Sequence, residues 1–176
     1  MRTAVAGKVR LVTLTSPTAR APGRQLDVAE VRARFTATEP FTVGLEEEVL
    51  LVDARSGLPV PVAAEIAAAT NDPRVKPELP AAQVELVTPA FSSVVTAVDD
   101  LAITRRVLGA ACGGDVAPIA AAVHPRATGP AALSSTPRGA ALLRDYGEVA
   151  ARQLVGSIQV HVPVGDADRT LAVHNA

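Results

Sequence analysis

Three short stretches place carboxylates, amides and an imidazole two residues apart. Glu46 and Glu48 lie in "FTVGLEEEVLLVD" (41–53), Gln83 and Glu85 in "QVELV" (83–87), and Gln159 and His161 in "SIQVHVPV" (157–164). Residues two apart in a strand share a face. Folded as strands, the three stretches each present two polar groups from one side, with Val84, Leu86, Ile158, Val160, Val162 and Val164 opposite. If they pair in one sheet, their polar faces pool. Clustered carboxylates repel unless a cation sits between them. Oxygen ligands of this kind suit hard cations such as Mg²⁺ or Mn²⁺, and a magnesium ion on a sheet face can hold nucleotide phosphates. The plainer alternative is the solvated face of a half-exposed antiparallel sheet. Alternation alone leaves both open. Glu47 points to the opposite side of an ideal strand.

Other chemistries lack their motifs. No glycine-rich phosphate loop is present, nor a G-x-S-x-G nucleophile elbow. Cys112 is the sole cysteine, which excludes an intramolecular disulfide and any Cys/His zinc spacing.

The elements that must position these residues follow from periodicity and punctuation. "FTVG" and "EVLLVD" read as β, and "ARSGLPVP" (54–61) as a turn. "AAEIAAAT" (63–70) reads as a short helix. Prolines 73, 77 and 80 then break the chain, and "AQVELVT" (82–88) is a second strand stopped by Pro89. Ser92 or Ser93 caps a helix to about Ala111, with Gly113-Gly114 ending it. "DVAPIAAAV" (115–123) reads as a buried strand leading into His124-Pro125. Thr136-Pro137 is an N-cap followed by proline at the first helical position, opening a helix to about Gln153. A strand at 157–164 and a helix from Asp166 complete the order. Residues 1–38 lack strong periodicity and read as a flexible N-terminal arm; "SPTARAPGR" (16–24) is loop. Residues 39–176 form one domain. The order implies an α+β fold, a sheet with helices packed on one face.

Composition supports a folded chain. Of 176 residues 48% are hydrophobic but 2% aromatic, so the core is built from Ala, Val, Leu and Ile. The net charge of −1 gives no field suited to nucleic acid or an anionic membrane. No apolar run is long enough to span a membrane, and Lys8 and Arg10 interrupt any signal-peptide stretch. A cytoplasmic location is the expectation.

Five blocks in order resemble the glutamate–cysteine ligase type 2 family of ATP-dependent carboxylate–amine ligases. They are "TVGLEEEVLLVD", "QVELVTP", "AVHP" (122–125), "TPRG" (136–139) and "QLVGSIQVHVPVGDAD" (153–168). The resemblance covers about residues 40–176 and implies the N-terminal half of such a catalytic domain: a glutamine synthetase-like antiparallel sheet, truncated, whose concave face holds metal, ATP and glutamate. It implies phosphorylation of the glutamate γ-carboxylate with ATP as co-substrate, then attack by the amine of cysteine or another amine. By carry-over, Glu46, Glu48, Glu85 and His161 are the metal and phosphate candidates, with Mg²⁺ or Mn²⁺ as the ion. Gln83 and Gln159 are candidate cofactor-binding groups on the same face. Arg138 can grip a carboxylate or phosphate by its planar fork, and His124 shapes a turn with Pro125. Three departures stand out: Ala122-Val123 where the family has Gly-Thr, Gly139 after Arg138 where it has Tyr, and Pro163 in the last strand.

Family members are expected to be about twice as long. A half sheet leaves an open edge and an uncovered apolar face. Three readings therefore stand: a ligase-like enzyme, a remnant or subunit completed by a second copy or a complementing chain, and a Mg-nucleotide-binding module that makes no bond.

Overall fold

A computed structural model describes residues 27–37 and 39–176. Residues 1–26, most of the stretch read as an arm, lie outside the described residues. What is described of that stretch includes a helix, α1 (Val28–Thr36), whose N-terminus Asp27 caps by accepting the Ala29 N–H. Helix α1 buries no residue of its own, which is why no apolar periodicity announces it.

The sheet is built around β1 (Gly44–Asp53). On one side β1 pairs with β3 (Gln83–Val87), which pairs onward with β2 (Val75–Pro77). On its other side two short strands share its length: β4 (Val116–Ile119) along Leu50–Asp53 and β5 (Ile158–His161) along Gly44–Glu47. Every pairing is antiparallel. Two helices cover one face, α2 (Ala63–Thr70) and α3 (Val94–Cys112). Their Ala63, Ala67, Ala97, Leu101 and Leu108 close over Leu45, Val49, Leu51, Val84 and Leu86 of the sheet. Full burial of each leucine is worth about 1.5–3 kcal/mol. The result is the α+β antiparallel sheet with helices on one face.

Several boundaries differ from those read in the sequence, each for a local reason. "GLEEEVLLVD" forms one strand, because the glutamates continue the ladder, and of "FTVG" only Gly44 belongs to it: Phe41 has a left-handed φ of 62° and Val43 makes an isolated bridge to Phe91. Strand β2 was hidden among prolines; Pro77 sits at its end, where no ladder N–H is needed. The stretch 115–123 forms a strand only over Val116–Ile119 and is half-buried, not buried. Beyond it Val123 makes one isolated bridge to Val155. The helix from Thr136 breaks at Gly147, whose φ of 57° is left-handed, giving α4 (Pro137–Tyr146) and α5 (Glu148–Ala151). The last strand stops at His161, before Pro163. Pro163 does not interrupt a ladder; its carbonyl accepts from the Phe41 N–H at 2.8 Å. Helix α6 (Ala167–His174) starts on its Asp166 cap.

Candidate functional site

The register brings the polar groups together. Glu48 lies directly opposite Glu85, Leu50 opposite Gln83, Glu46 opposite Gln159, and Gly44 opposite His161. Opposed residues in a ladder share a face. Glu46, Glu48, Glu85, Gln83, Gln159 and His161 therefore all project from the face away from α2 and α3. The covered face takes Leu45, Glu47, Val49 and Leu51.

The carboxylates are splayed. Glu46 turns to His161, with Oε2 3.3 Å from Nε2. Glu48 turns to Ser157, whose hydroxyl donates to Oε2 at 2.9 Å. Glu85 stays half-buried opposite Glu48. Its pKa is raised by burial, then by the negative charges of Glu46, Glu78 and Glu48, while Lys76 acts the other way. Lys76 lies opposite Glu85 on β2. In these rotamers no group of three or more His, Cys, Asp or Glu side chains among the described residues converges to hold a metal ion. The donor set nevertheless fits a hard cation: three carboxylates on one face of neighbouring strands, the Glu85 charge disfavoured by burial and then by its neighbours' negative charge.

The remaining sequence candidates take distinct places. Gln83 is buried, and its amide nitrogen donates to the Val155 carbonyl at 2.7 Å, tying β3 to the loop before β5. Gln159 is exposed on β5. Arg138 is exposed in the first turn of α4. His124 precedes a turn at 125–126, its Nδ1 accepting from the Arg126 N–H at 3.2 Å, and its Nε2 lies 2.8 Å from the Gly57 carbonyl, while Arg126 reaches the Ser56 carbonyl at 2.8 Å.

Other contributors were not apparent in the sequence. Glu47 is buried on the helix-covered face and held by Arg105 of α3 through two bonds, 2.7 Å to Oε2 and 2.5 Å to Oε1. This removes the middle carboxylate from the cluster and fastens β1 to α3. The one available signal was an arginine one position after Thr104 on an apolar helix stripe. Gly156 lets the loop before β5 press on β1, since a Cβ there would lie 2.6 Å from the Ala121 carbonyl oxygen and 3.2 Å from that of Glu48. The Glu48 N–H donates to the Ser157 carbonyl at 2.9 Å across the same contact.

A cleft of about 900 Å³ opens at the Glu46–His161 end of the sheet. Its walls include Arg34 and Phe35 of α1 and Thr170 and His174 of α6. A volume of this order suits a small-molecule ligand.

Comparison with known proteins gives a consistent picture. A provisionally named glutamate–cysteine ligase 2 of Rhodospirillum rubrum is 40% identical over 139 residues, covering 73% of this chain and 36% of that protein. A similarly named protein of Paracoccus denitrificans is 34% identical over 149 residues, covering 80% and 39%. The chain thus spans well under half the length of these relatives. Among solved structures, a bifunctional glutathione synthetase from Pasteurella multocida superposes with a TM-score of 0.54 at 19% identity, over 68% of this chain and 16% of that one. A glutamate–cysteine ligase from Francisella tularensis, solved in complex with AMP, gives 0.52 at 16% identity, over 79% and 30%. These likenesses establish a shared fold. The profile of glutamate–cysteine ligase family 2 matches residues 42–176, the segment that contains the whole sheet, and the chain belongs to that family.

Proposed function

We propose that this chain provides the cation- and nucleotide-binding face of an ATP-dependent carboxylate–amine ligase. Glutamate is the carboxylate substrate, and cysteine or another amine is the acceptor. The observation that carries the reading is the register that sets Glu85 opposite Glu48, two residues from Glu46, on the face without helices. Glu46, Glu48 and Glu85 would hold Mg²⁺ or Mn²⁺ after a change of rotamer, with His161 beside Glu46. Such an ion supplies neutralisation of phosphate charge. The carboxylate of glutamate would attack the terminal phosphorus of ATP with ADP leaving, and the amine would then displace phosphate from the acyl phosphate. Positioning and charge compensation are what the protein adds to such a reaction. Gln159 lies within the ladder beside Glu46 and is available to the nucleotide; Arg138 is available to a phosphate or carboxylate. Among the described residues no helix is long and apolar enough to cross a membrane, and a cytoplasmic location accompanies the proposal.

Titration calorimetry of Mn²⁺ and of Mg-ATP on the purified chain tests this reading. Binding by the wild type, weakened about tenfold or more in Glu46→Gln and in Glu85→Gln, is expected, in line with the loss of one charged ligand. A folded chain that binds neither, or variants that bind as well as the wild type, would overturn it.

A second reading adds a partner. Ile158, Val160 and Val162 are all about half exposed or more, on an apolar strip beside the covered part of the sheet. Completion by a second copy or by a complementing chain would cover them.

A further inference from the structure

A second cavity lies beside the segment that follows His124. Residues 124–134 run as a strap fastened at both ends. At its start His124 Nε2 lies 2.8 Å from the Gly57 carbonyl, and Arg126 Nη1 donates to the Ser56 carbonyl at 2.8 Å. Further on, the Ala131 N–H donates to the Ala151 carbonyl at 2.6 Å, the Ala132 carbonyl accepts from the Ala81 N–H at 2.8 Å, and the Ser134 N–H donates to the Leu79 carbonyl at 2.8 Å. Between these ties Gly129 turns the strap with a left-handed φ of 84°. The strap, the turn after β1 and the loop before β5 together line a pocket of about 320 Å³. That is the lower end of the range for small-molecule sites. Because its walls are tied by backbone hydrogen bonds, a ligand does not have to order them on binding.

The side chains that line the pocket are apolar apart from Arg126 and Thr128. Leu58, Pro61, Ala82 and Leu154 are among them, and Leu58 is left 41% exposed. Arg126 is the one charged side chain of the lining, and no acidic side chain lines it. Among the described residues Arg126 makes no ion pair. Its bond to Ser56 occupies Nη1, which orients the guanidinium and leaves the Nε and Nη2 edge for a carboxylate. An unpaired cation beside an apolar space selects an anion with an apolar body. An ammonium group on the same ligand would meet no carboxylate here, and its desolvation would go uncompensated. None of Glu46, Glu48, Glu85 and His161 lines this pocket.

We propose that the pocket is a binding site for a small apolar carboxylate without an amino group. It is separate from the proposed cation face and does not depend on it.

The test is a titration of the full chain followed by protein NMR, with three probes that share one carbon skeleton. They are 3-phenylpropanoate, its neutral amide 3-phenylpropanamide, and L-phenylalanine, which adds the ammonium group. The variants are Arg126→Gln, which removes the charge, and Ala127→Phe, which fills the space without removing a tie of the strap. Melting curves establish that each variant is folded. 3-Phenylpropanoate should bind the wild type, with shifts confined to residues 56–61, 81–82, 126–132 and 154. Its affinity should fall about tenfold in Arg126→Gln. The amide should bind weakly and equally to both, which shows that the pocket itself survives the substitution. L-Phenylalanine should bind more weakly than 3-phenylpropanoate, and Ala127→Phe should lose 3-phenylpropanoate with Arg126 intact. A folded wild type that does not bind 3-phenylpropanoate, unchanged affinity in Arg126→Gln, or L-phenylalanine bound as tightly as 3-phenylpropanoate overturns the proposal. So does displacement of 3-phenylpropanoate by Mg-ATP, which would put the two ligands in one site. Loss of Mn²⁺ binding in Glu85→Gln with 3-phenylpropanoate binding unchanged is the expected sign that the sites are distinct.

Discussion

Glu85 illustrates how a proposed binding residue can work against the fold that holds it. Its carboxylate is partly buried, opposite Glu48, and within the field of Glu46 and Glu78. Like charges directly opposed across a ladder destabilise a sheet by about 0.2–1 kcal/mol. Glu85→Gln should therefore raise the melting temperature of the metal-free chain at neutral pH by about 1–3 °C, while weakening the cation response. A fixed Mn²⁺ concentration that stabilises the wild type should stabilise the variant less. A variant that melts below the wild type would show that the carboxylate is already compensated. Asp72 behaves in the opposite sense. Arg74 holds it by side-chain hydrogen bonds, at 2.7 Å between Nη2 and Oδ2, and its pKa is lowered, first by those bonds. A depressed carboxylate adds stability above its unfolded pKa and loses it as the pH falls through the folded value. Acid titration of the melting temperature should show this loss below the ordinary aspartate range, and Asp72→Asn should flatten it.

At the scale of elements, strand β1 is fixed from behind. Arg105 of α3 neutralises Glu47, whose side chain is 6% exposed. With Arg105→Met a buried carboxylate loses its partner. Since the guanidinium itself is half exposed and water-screened, the cost is about 1–2 kcal/mol, read as a lower midpoint in urea. Glu47→Gln with Arg105→Met should recover part of it, because no charge is then left stranded. If the double variant is no better than the single, the pair is not what fastens β1 to α3. The same strand shows how far the sequence could be read. Alternation placed Glu46 and Glu48 on one face, and the pairing with Glu85 and His161 follows from register once β1 is central. The glycine break at Gly147 and the end of β5 before Pro163 were visible as residues but not as consequences, since helical pattern continued past one and strand alternation past the other. Arg105 and α1 escaped because their contacts are long-range or unaccompanied by burial. Periodicity reports what faces a core; it is silent about a helix that faces a cleft.

The whole molecule has a well-covered half and an uncovered one. Helices α2 and α3 bury the apolar residues of β1 and β3, whereas Ile158 and Val160 of β5, on that same face, are 57% and 62% exposed, with Val98 of α3 51% exposed. Among the described residues β5 pairs only with β1, so its outer edge is also unpaired. An exposed apolar strip beside an open strand edge favours association through added strands or a packed face. The chain spans 36% of its Rhodospirillum rubrum relative, a protein with ample further length to supply such cover. For this chain by itself, sedimentation velocity over a concentration series should show reversible self-association. Val160→Lys should shift it toward monomer: the charge falls on the apolar face, opposite Leu45 in the ladder and away from Glu46. Mn²⁺ affinity should survive the change. A wild type that stays monomeric at high concentration would mean that the strip tolerates water, and that neither a second copy nor a complementing chain is needed to keep this half sheet in solution.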